Sequence, residues 1–122
     1  MQYVMLVYRG ATPLQGTDEW KALPEAEQKQ IFAGYAALAK AEGVTIGTPV
    51  GLPEHATTVR LKDGKTQITH GPYVGVSEAI GAYFIVEAND IDAVLELAAQ
   101  TPAVKYGGAV EVRPSEAYWE RK

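Results

Sequence analysis

The sequence predicts one α+β domain over residues 1–122, in which an antiparallel sheet carries two helices on one face. Three observations support this prediction: apolar strand-like segments, two amphipathic helical patterns, and an Asp63-Gly64 pair that is typical of a two-residue β-hairpin. A chain of 122 residues is long enough to bury one hydrophobic core.

Hydrophobic periodicity predicts the first strand and the first helix. Gln2–Tyr8 is apolar almost without alternation, the pattern of a strand that is covered on both faces. The helix is predicted to begin at Pro24 and to end at Gly43, because proline suits the first turn and glycine the C-terminal end. Its apolar residues recur at intervals of three and four and form one stripe: Ile31, Phe32, Tyr35, Leu38 and Ala39.

Residues 9–23 contain glycines and a proline and are predicted as a loop, with Trp20 folded back onto the core. Residues 44–50 are predicted as the second strand. Thr57–Lys62 alternates as a half-exposed strand, and the Asp-Gly turn returns the chain as a further strand over residues 66–70.

Ile80–Glu87 is a nearly unbroken apolar segment and is predicted as the central strand. Asn89 is the predicted N-cap of a second helix that ends at Thr101, and residues 110–113 form the last strand. Spacing predicts the inner face of this helix: Ile91, Val94, Leu95 and Ala98. The resulting order of elements is that of a ferredoxin-like βαββαβ sheet with a hairpin insertion.

The first and central strands are apolar on both faces, whereas two helices can cover only one face of the sheet. Apolar area left in water costs about 25 cal/mol per Å². The sequence therefore predicts that a second copy of the chain covers the free face, which makes the protein a homodimer.

Composition excludes several classes of function. The net charge of −4 argues against nucleic acid and anionic membranes as partners. The chain has no cysteine, no apolar segment long enough to span a membrane and no basic leader, so we expect a cytoplasmic protein without disulfides. His55, Glu54 and His70 lack the spacing of a metal site, and neither a metal nor another cofactor is predicted.

Residues 70–87 are the predicted site, because a small polar loop there leads into a buried strand that holds it rigidly. His70 is the candidate catalytic residue, since an imidazole takes up and releases a proton near neutral pH. The candidate ligand-binding residues are loop side chains and tyrosines expected at the same cleft: Tyr73, Ser77, Glu78, Tyr83, Tyr8 and Tyr35. Each has a structural alternative, since such groups also satisfy turns or pack in cores.

This stretch resembles the signature of the YCII-related proteins of the DGPF type, which are small bacterial domains. Their motif reads Asp-Gly-Pro-Phe, a polar loop with a Glu and a Lys, then Gly-Gly-Tyr-Tyr and an apolar strand. The chain matches it without a gap at five positions, with Tyr73 and Phe84 as aromatic substitutes: Gly71, Pro72, Glu78, Gly81 and Tyr83. The remaining elements also fall where the family has them. The resemblance implies a dimeric α/β barrel, in which two sheets close face to face.

The chain departs from the family pattern at charged positions. His70 stands where the motif has its Asp, and Gly75 and Ser77 stand where the loop has its Glu and Lys. The related YCII branch, which is suspected of being enzymatic, has a His and an Asp at the positions of Phe32 and Thr101.

Two functions follow as alternatives. The first is an enzyme of lyase or isomerase type that uses His70 for acid-base chemistry on a small molecule in the barrel cavity. The second is a non-catalytic dimer that binds a small ligand or a protein partner, as family members encoded beside sigma-factor genes are suspected to do. The lost loop charges favour binding, whereas a histidine in place of the motif's Asp favours catalysis.

Overall fold

The computed structural model describes residues 1–48 and 50–117, with Ser77 described by its backbone alone. This part of the chain has an α+β fold, as predicted, with six strands and three α-helices. In chain order the elements are β1 (Gln2–Tyr8), α1 (Asp18–Ala22), α2 (Glu25–Lys40), β2 (Val44–Ile46), β3 (Thr57–Lys62), β4 (Lys65–His70), β5 (Ile80–Glu87), α3 (Ile91–Ala99) and β6 (Ala109–Pro114). Short 3₁₀ turns cover Pro53–His55, Val76–Glu78 and Pro102–Tyr106.

Four of the strands form an antiparallel sheet in the order β2-β5-β1-β6, and β3 and β4 form a separate two-stranded hairpin. The long strands β1 and β5 lie side by side at the centre, with Leu6 opposite Tyr83 and Val4 opposite Ile85. This order is consistent with the predicted ferredoxin-like arrangement.

The hydrophobic core lies between one face of the sheet and the two longer helices. Alternate residues of β1 and β5 point into it, and α2 and α3 each add one buried side chain, so both helices cover the same face. The core side chains are Tyr3, Met5, Val7, Leu38, Phe84, Val86, Val94 and Ala103.

The opposite face of the sheet, here called the open face, is covered by no helix in the described part of the chain. Its central side chains are apolar or aromatic and only half-buried: Val4, Leu6, Tyr8, Tyr83 and Ile85. Directly paired residues of antiparallel strands share a face, so these side chains form one contiguous patch.

The β3-β4 hairpin has the predicted Asp-Gly turn, since Asp63 and Gly64 have φ of 52° and 76°. The hairpin is exposed on both faces. Val59, Leu61 and Ile68 share one face and are 64%, 74% and 62% exposed. An isolated two-stranded sheet is marginal in water, so this apolar face lacks the support that a third strand or a helix would provide.

The segment predicted as a loop over residues 9–23 contains the short helix α1, which corrects that prediction. Thr17 caps it, since its Oγ1 accepts the Trp20 N–H at 3.3 Å, and two acidic residues occupy its first turn. The neighbouring glycines and proline are typical of a loop, which is why the sequence did not predict this helix. Trp20 is buried, as predicted, and its ring meets Phe32 edge-on at 5.2 Å between centroids.

Other boundaries differ by a few residues. Strand β2 ends at Ile46 instead of residue 50, and Pro49 lies outside the described residues. Asp90, not Asn89, caps α3, because its Oδ1 accepts the Ala93 N–H at 3.2 Å. Ile91 and Leu95, predicted on the inner face of α3, are exposed, because the sheet contacts only the stripe that includes Val94 and Ala98.

Candidate functional site

A cavity of about 520 Å³, here called the first cavity, opens where the end of β1 meets the loops on either side of the hairpin. Its walls are mainly apolar, with Leu52, Pro53 and Ile80 among them. Five polar side chains also line it: Tyr8, His55, Thr58, Tyr73 and Glu78. Cavities of this size and composition are typical of sites for small organic molecules.

Hydrogen bonds at the base of the hairpin position the residues that line this cavity. The Gly71 N–H donates to the Ala56 carbonyl oxygen at 2.7 Å, and the Thr58 hydroxyl donates to the Gly71 carbonyl oxygen at 2.8 Å. These bonds close the base of the hairpin. Tyr73 also lines the cavity, and the Arg60 guanidinium lies 5.8 Å from its ring centroid.

Apart from Thr58, whose hydroxyl bonds to Gly71, the polar side chains that line the first cavity have no hydrogen-bond partner in the described part of the chain. The side chains of Tyr8, His55, Tyr73 and Glu78 form no hydrogen bond with another described residue. Tyr73 lines the cavity and is 73% exposed. A bound molecule can therefore use two phenols, an imidazole and a carboxylate.

His70 lies at the end of β4 but is not among the side chains that line the first cavity. Side chains alternate along a strand, and Thr58, which lines the cavity, pairs with Thr69. His70 pairs with Thr57 and points to the opposite face of the hairpin. Its imidazole is exposed and forms no hydrogen bond with another described residue.

Tyr83 also lies apart from the first cavity, since it is not among the residues that line it. Tyr83 belongs to the open face, where its hydroxyl accepts the Thr48 N–H at 3.2 Å and its carbonyl oxygen accepts the Gly47 N–H at 3.0 Å. It therefore ties the chain after β2 to the central strand. Ser77 is in the turn that carries Glu78, and its side chain lies outside the described atoms.

Tyr35 lines a different cavity, here called the second cavity, of about 520 Å³ on the helix side of the sheet. Phe32, which stands at the position of the YCII branch's histidine, lines it as well and is 51% exposed at its rim. Thr101, at the position of that branch's Asp, is buried, and its hydroxyl donates to the Leu97 carbonyl oxygen at 3.3 Å.

The family model of the YCII-related domain matches residues 1–116, which is nearly the whole chain. The chain belongs to the YCII-related family. Among curated proteins, none matches it. Within residues 1–48 and 50–117, this YCII-related chain has no helix that is long and apolar enough to cross a membrane.

No group of three His, Asp or Glu side chains that could hold a metal ion occurs among the residues whose positions the structure describes.

Sequence reasoning did not place His55 in the first cavity, and it did not select Arg9 at all. His55 reaches the cavity because the Pro53–His55 turn folds against the hairpin base, where its N–H donates to the Leu52 carbonyl oxygen at 2.9 Å. Arg9 follows the end of β1 and lines the second cavity of the YCII-related fold. Neither residue belongs to a motif, so the sequence carried no local signal for either.

The burial of Tyr35 at the second cavity can be tested through the pH dependence of stability. Burial raises the pKa of the Tyr35 phenol above its ordinary value of 10.0, and a hydrogen bond with the Ala103 backbone opposes part of that shift. The unfolded phenol therefore loses its proton at lower pH than the folded one. The stability that neutral Tyr35 provides is complete below pH 10.0 and is lost as the pH rises through the folded pKa.

We expect the unfolding free energy of the wild type to fall relative to that of Tyr35→Phe as the pH rises above 10.0. Urea titrations of both chains between about pH 8 and pH 11.5 measure this difference, in which every other titrating group cancels. A difference that stays constant across this range would contradict the burial of the phenol.

Proposed function

We propose that this YCII-related protein binds a small, mainly apolar molecule in the first cavity and that it does so as a homodimer. The observation that supports binding is the convergence of Tyr8, Tyr73, Glu78 and His55 on one cavity of about 520 Å³. These groups retain free hydrogen-bonding capacity beside apolar walls, the combination that orients a small ligand in a pocket.

The open face supports the homodimer. Val4, Leu6, Tyr8, Tyr83 and Ile85 leave a contiguous patch of apolar and aromatic surface on the two central strands. The strand order supports a ferredoxin-like sheet, and two such sheets facing each other would form a dimeric α/β barrel. Tyr8 lines the first cavity and lies on the open face, so the proposed ligand site would adjoin the proposed interface.

Acid-base catalysis is a second candidate, which the presence of an imidazole and a carboxylate in one cavity favours. His55 and Glu78 line the first cavity together, and imidazole and carboxylate groups are the side chains that general acid-base catalysis uses most often. His70, at the end of β4, is the third candidate group, and its exposed imidazole would act on a ligand that extends beyond the cavity.

Binding is tested with p-cresol, a neutral probe with an aromatic body and one hydroxyl. We expect p-cresol to shift the backbone amide NMR signals of residues 71–80 in a saturable way. Tyr73→Ala should weaken binding about tenfold, because it removes an aromatic wall and a hydroxyl. Tyr73 is mostly exposed, so its removal should leave the fold intact.

Phe32→Ala is the matched control, since it removes a half-exposed aromatic ring from the second cavity and leaves the first unchanged. Its affinity for p-cresol should equal that of the wild type. The proposal fails if p-cresol causes no saturable shift up to its solubility limit, or if Phe32→Ala lowers the affinity as much as Tyr73→Ala does.

A further inference from the structure

The second cavity lies between the end of β1, the segment after it and helix α2, on the other side of the sheet from the open face. Its volume is about 520 Å³, and three aromatic side chains line it together with aliphatic residues: Trp20, Phe32 and Tyr35. The rings of Trp20 and Phe32 meet edge-on at an interplanar angle of 80°, the favourable arrangement for an aromatic pair. Gly81 and Ala82 form part of the lining from the sheet, and their small size leaves the space open.

Arg9 carries the only charge among the described residues that line this cavity. Its Nη2 donates to the Thr12 carbonyl oxygen at 3.1 Å, and the Thr12 hydroxyl donates in return to the Arg9 carbonyl oxygen at 2.5 Å. Thr12 is buried, so this reciprocal pair holds the guanidinium in one position at the cavity. The Arg9 N–H also donates to the Ala79 carbonyl oxygen at 3.3 Å, which anchors the backbone.

The Arg9 guanidinium has more donors than the described protein groups satisfy. Its Nε is buried and finds no acceptor among the described residues, and Arg9 forms no ion pair with any described carboxylate. A guanidinium has five N–H donors, and a partly buried cation without a counter-charge is costly. An anion at the cavity would offset this cost and would take up the remaining Nη donors.

We propose that the second cavity is a binding site for a small aromatic carboxylate, with the carboxylate on the Arg9 guanidinium and the ring against Trp20 and Phe32. Planar carboxylates match the guanidinium fork, and the apolar walls exclude an ion without an apolar body. Phe32 stands half-exposed at the rim, so the ring of the ligand enters beside it. This site is independent of the first cavity and of the ligand proposed for it.

The site is tested with sodium benzoate, and benzyl alcohol serves as its uncharged counterpart. Backbone amide NMR shifts on the full chain report where each probe binds. We expect benzoate to shift the signals of Thr12, Gln15 and Gly81, which belong to the second cavity, and to bind at least about tenfold more tightly than benzyl alcohol.

Arg9→Met removes the charge and keeps a side chain of similar length, so it should weaken benzoate binding at least about tenfold and leave benzyl alcohol binding unchanged. Lys65→Met is the matched control, because it removes one positive charge at the exposed hairpin turn. Its affinity for benzoate should equal that of the wild type.

Three results would overturn this proposal: equal affinities for benzoate and benzyl alcohol, no saturable shift at millimolar benzoate, or benzoate shifts confined to residues 71–80. The last result, with binding reduced by Tyr73→Ala, would assign benzoate to the first cavity and support the other proposal alone. If Arg9→Met does not fold, the proposal is tested on the wild type alone, by the positions of the benzoate shifts and by the ratio of the benzoate and benzyl alcohol affinities.

Discussion

An alanine at position 108 is expected to lower the free energy of unfolding by at least about 3 kcal/mol. The added Cβ would overlap the Tyr8 carbonyl oxygen and lie 2.8 Å from the Ala103 carbonyl oxygen and 2.9 Å from the Arg9 carbonyl carbon. All three are backbone atoms, so no side-chain rotation can relieve the overlap. The Gly108 N–H also donates to the Ala103 carbonyl oxygen at 2.9 Å, and a shift of the segment would strain that bond.

Gly107→Ala is the matched control at the neighbouring residue. Gly107 has φ of 77°, and a Cβ there would meet no atom within 4 Å, so only the left-handed backbone is unfavourable. That cost is about 1 to 2 kcal/mol. Urea unfolding of both variants measures the contrast. Equal losses at the two positions would show that the close approach of Gly108 to β1 does not govern stability.

The same contact connects stability to both proposed sites. Tyr8 lines the first cavity and Arg9 the second, and Gly108 packs against the backbone that joins them. A Gly108→Ala chain that still folds should therefore bind p-cresol and benzoate more weakly, whereas Gly107→Ala should bind both probes normally.

Leu6→Lys is expected to convert the proposed homodimer into a monomer. Leu6 lies in the middle of the open face between Tyr83 and Glu111 on the neighbouring strands. In one chain the lysine would stand beside the Glu111 carboxylate in water, so the fold should tolerate it. Between two sheets the ammonium would lose its hydration, which should weaken dimerisation at least about 1,000-fold, or roughly 4 kcal/mol.

Sedimentation of the wild type and the variant at micromolar concentration measures this effect. Leu95→Lys is the control, because Leu95 is an exposed apolar residue on α3, in the helix layer and away from the open face. It should leave the sedimentation coefficient unchanged. A wild type that sediments as a monomer would remove the homodimer, and a Leu6→Lys chain that stays dimeric would place the interface elsewhere.

Elements with a strong local pattern were predicted closely. Strand β5 has the predicted bounds, Ile80–Glu87, because a long apolar segment between turn signals has few alternatives. The Asp63-Gly64 turn also formed as predicted, since a two-residue turn with positive φ at both positions favours these residues. Helix α1 was not predicted, because Thr17 is its only capping signal and the nearby glycines are typical of a loop.

Three residues that the sequence nominated share one cavity, and their role in ligand binding stays a prediction. Tyr8, Tyr73 and Glu78 were selected from the sequence and share the first cavity, together with His55. His70 was selected because it ends a strand before the motif loop, but the strand direction does not say which face of a hairpin meets the rest of the chain. Which face of the hairpin meets the rest of the chain depends on how the hairpin base packs. The catalytic role of His70 stays a prediction.

The sequence by itself determined the family, the α+β class, the central strands and the hairpin turn, because local periodicity and turn chemistry specify them. Only the tertiary structure decided which polar groups share a cavity. Residues separated by tens of positions, such as Tyr8 and Glu78, or Arg9 and Tyr35, meet through strand pairing and the packing of helix on sheet. Such long-range contacts depend on the burial of the whole core, and no short stretch of sequence encodes them.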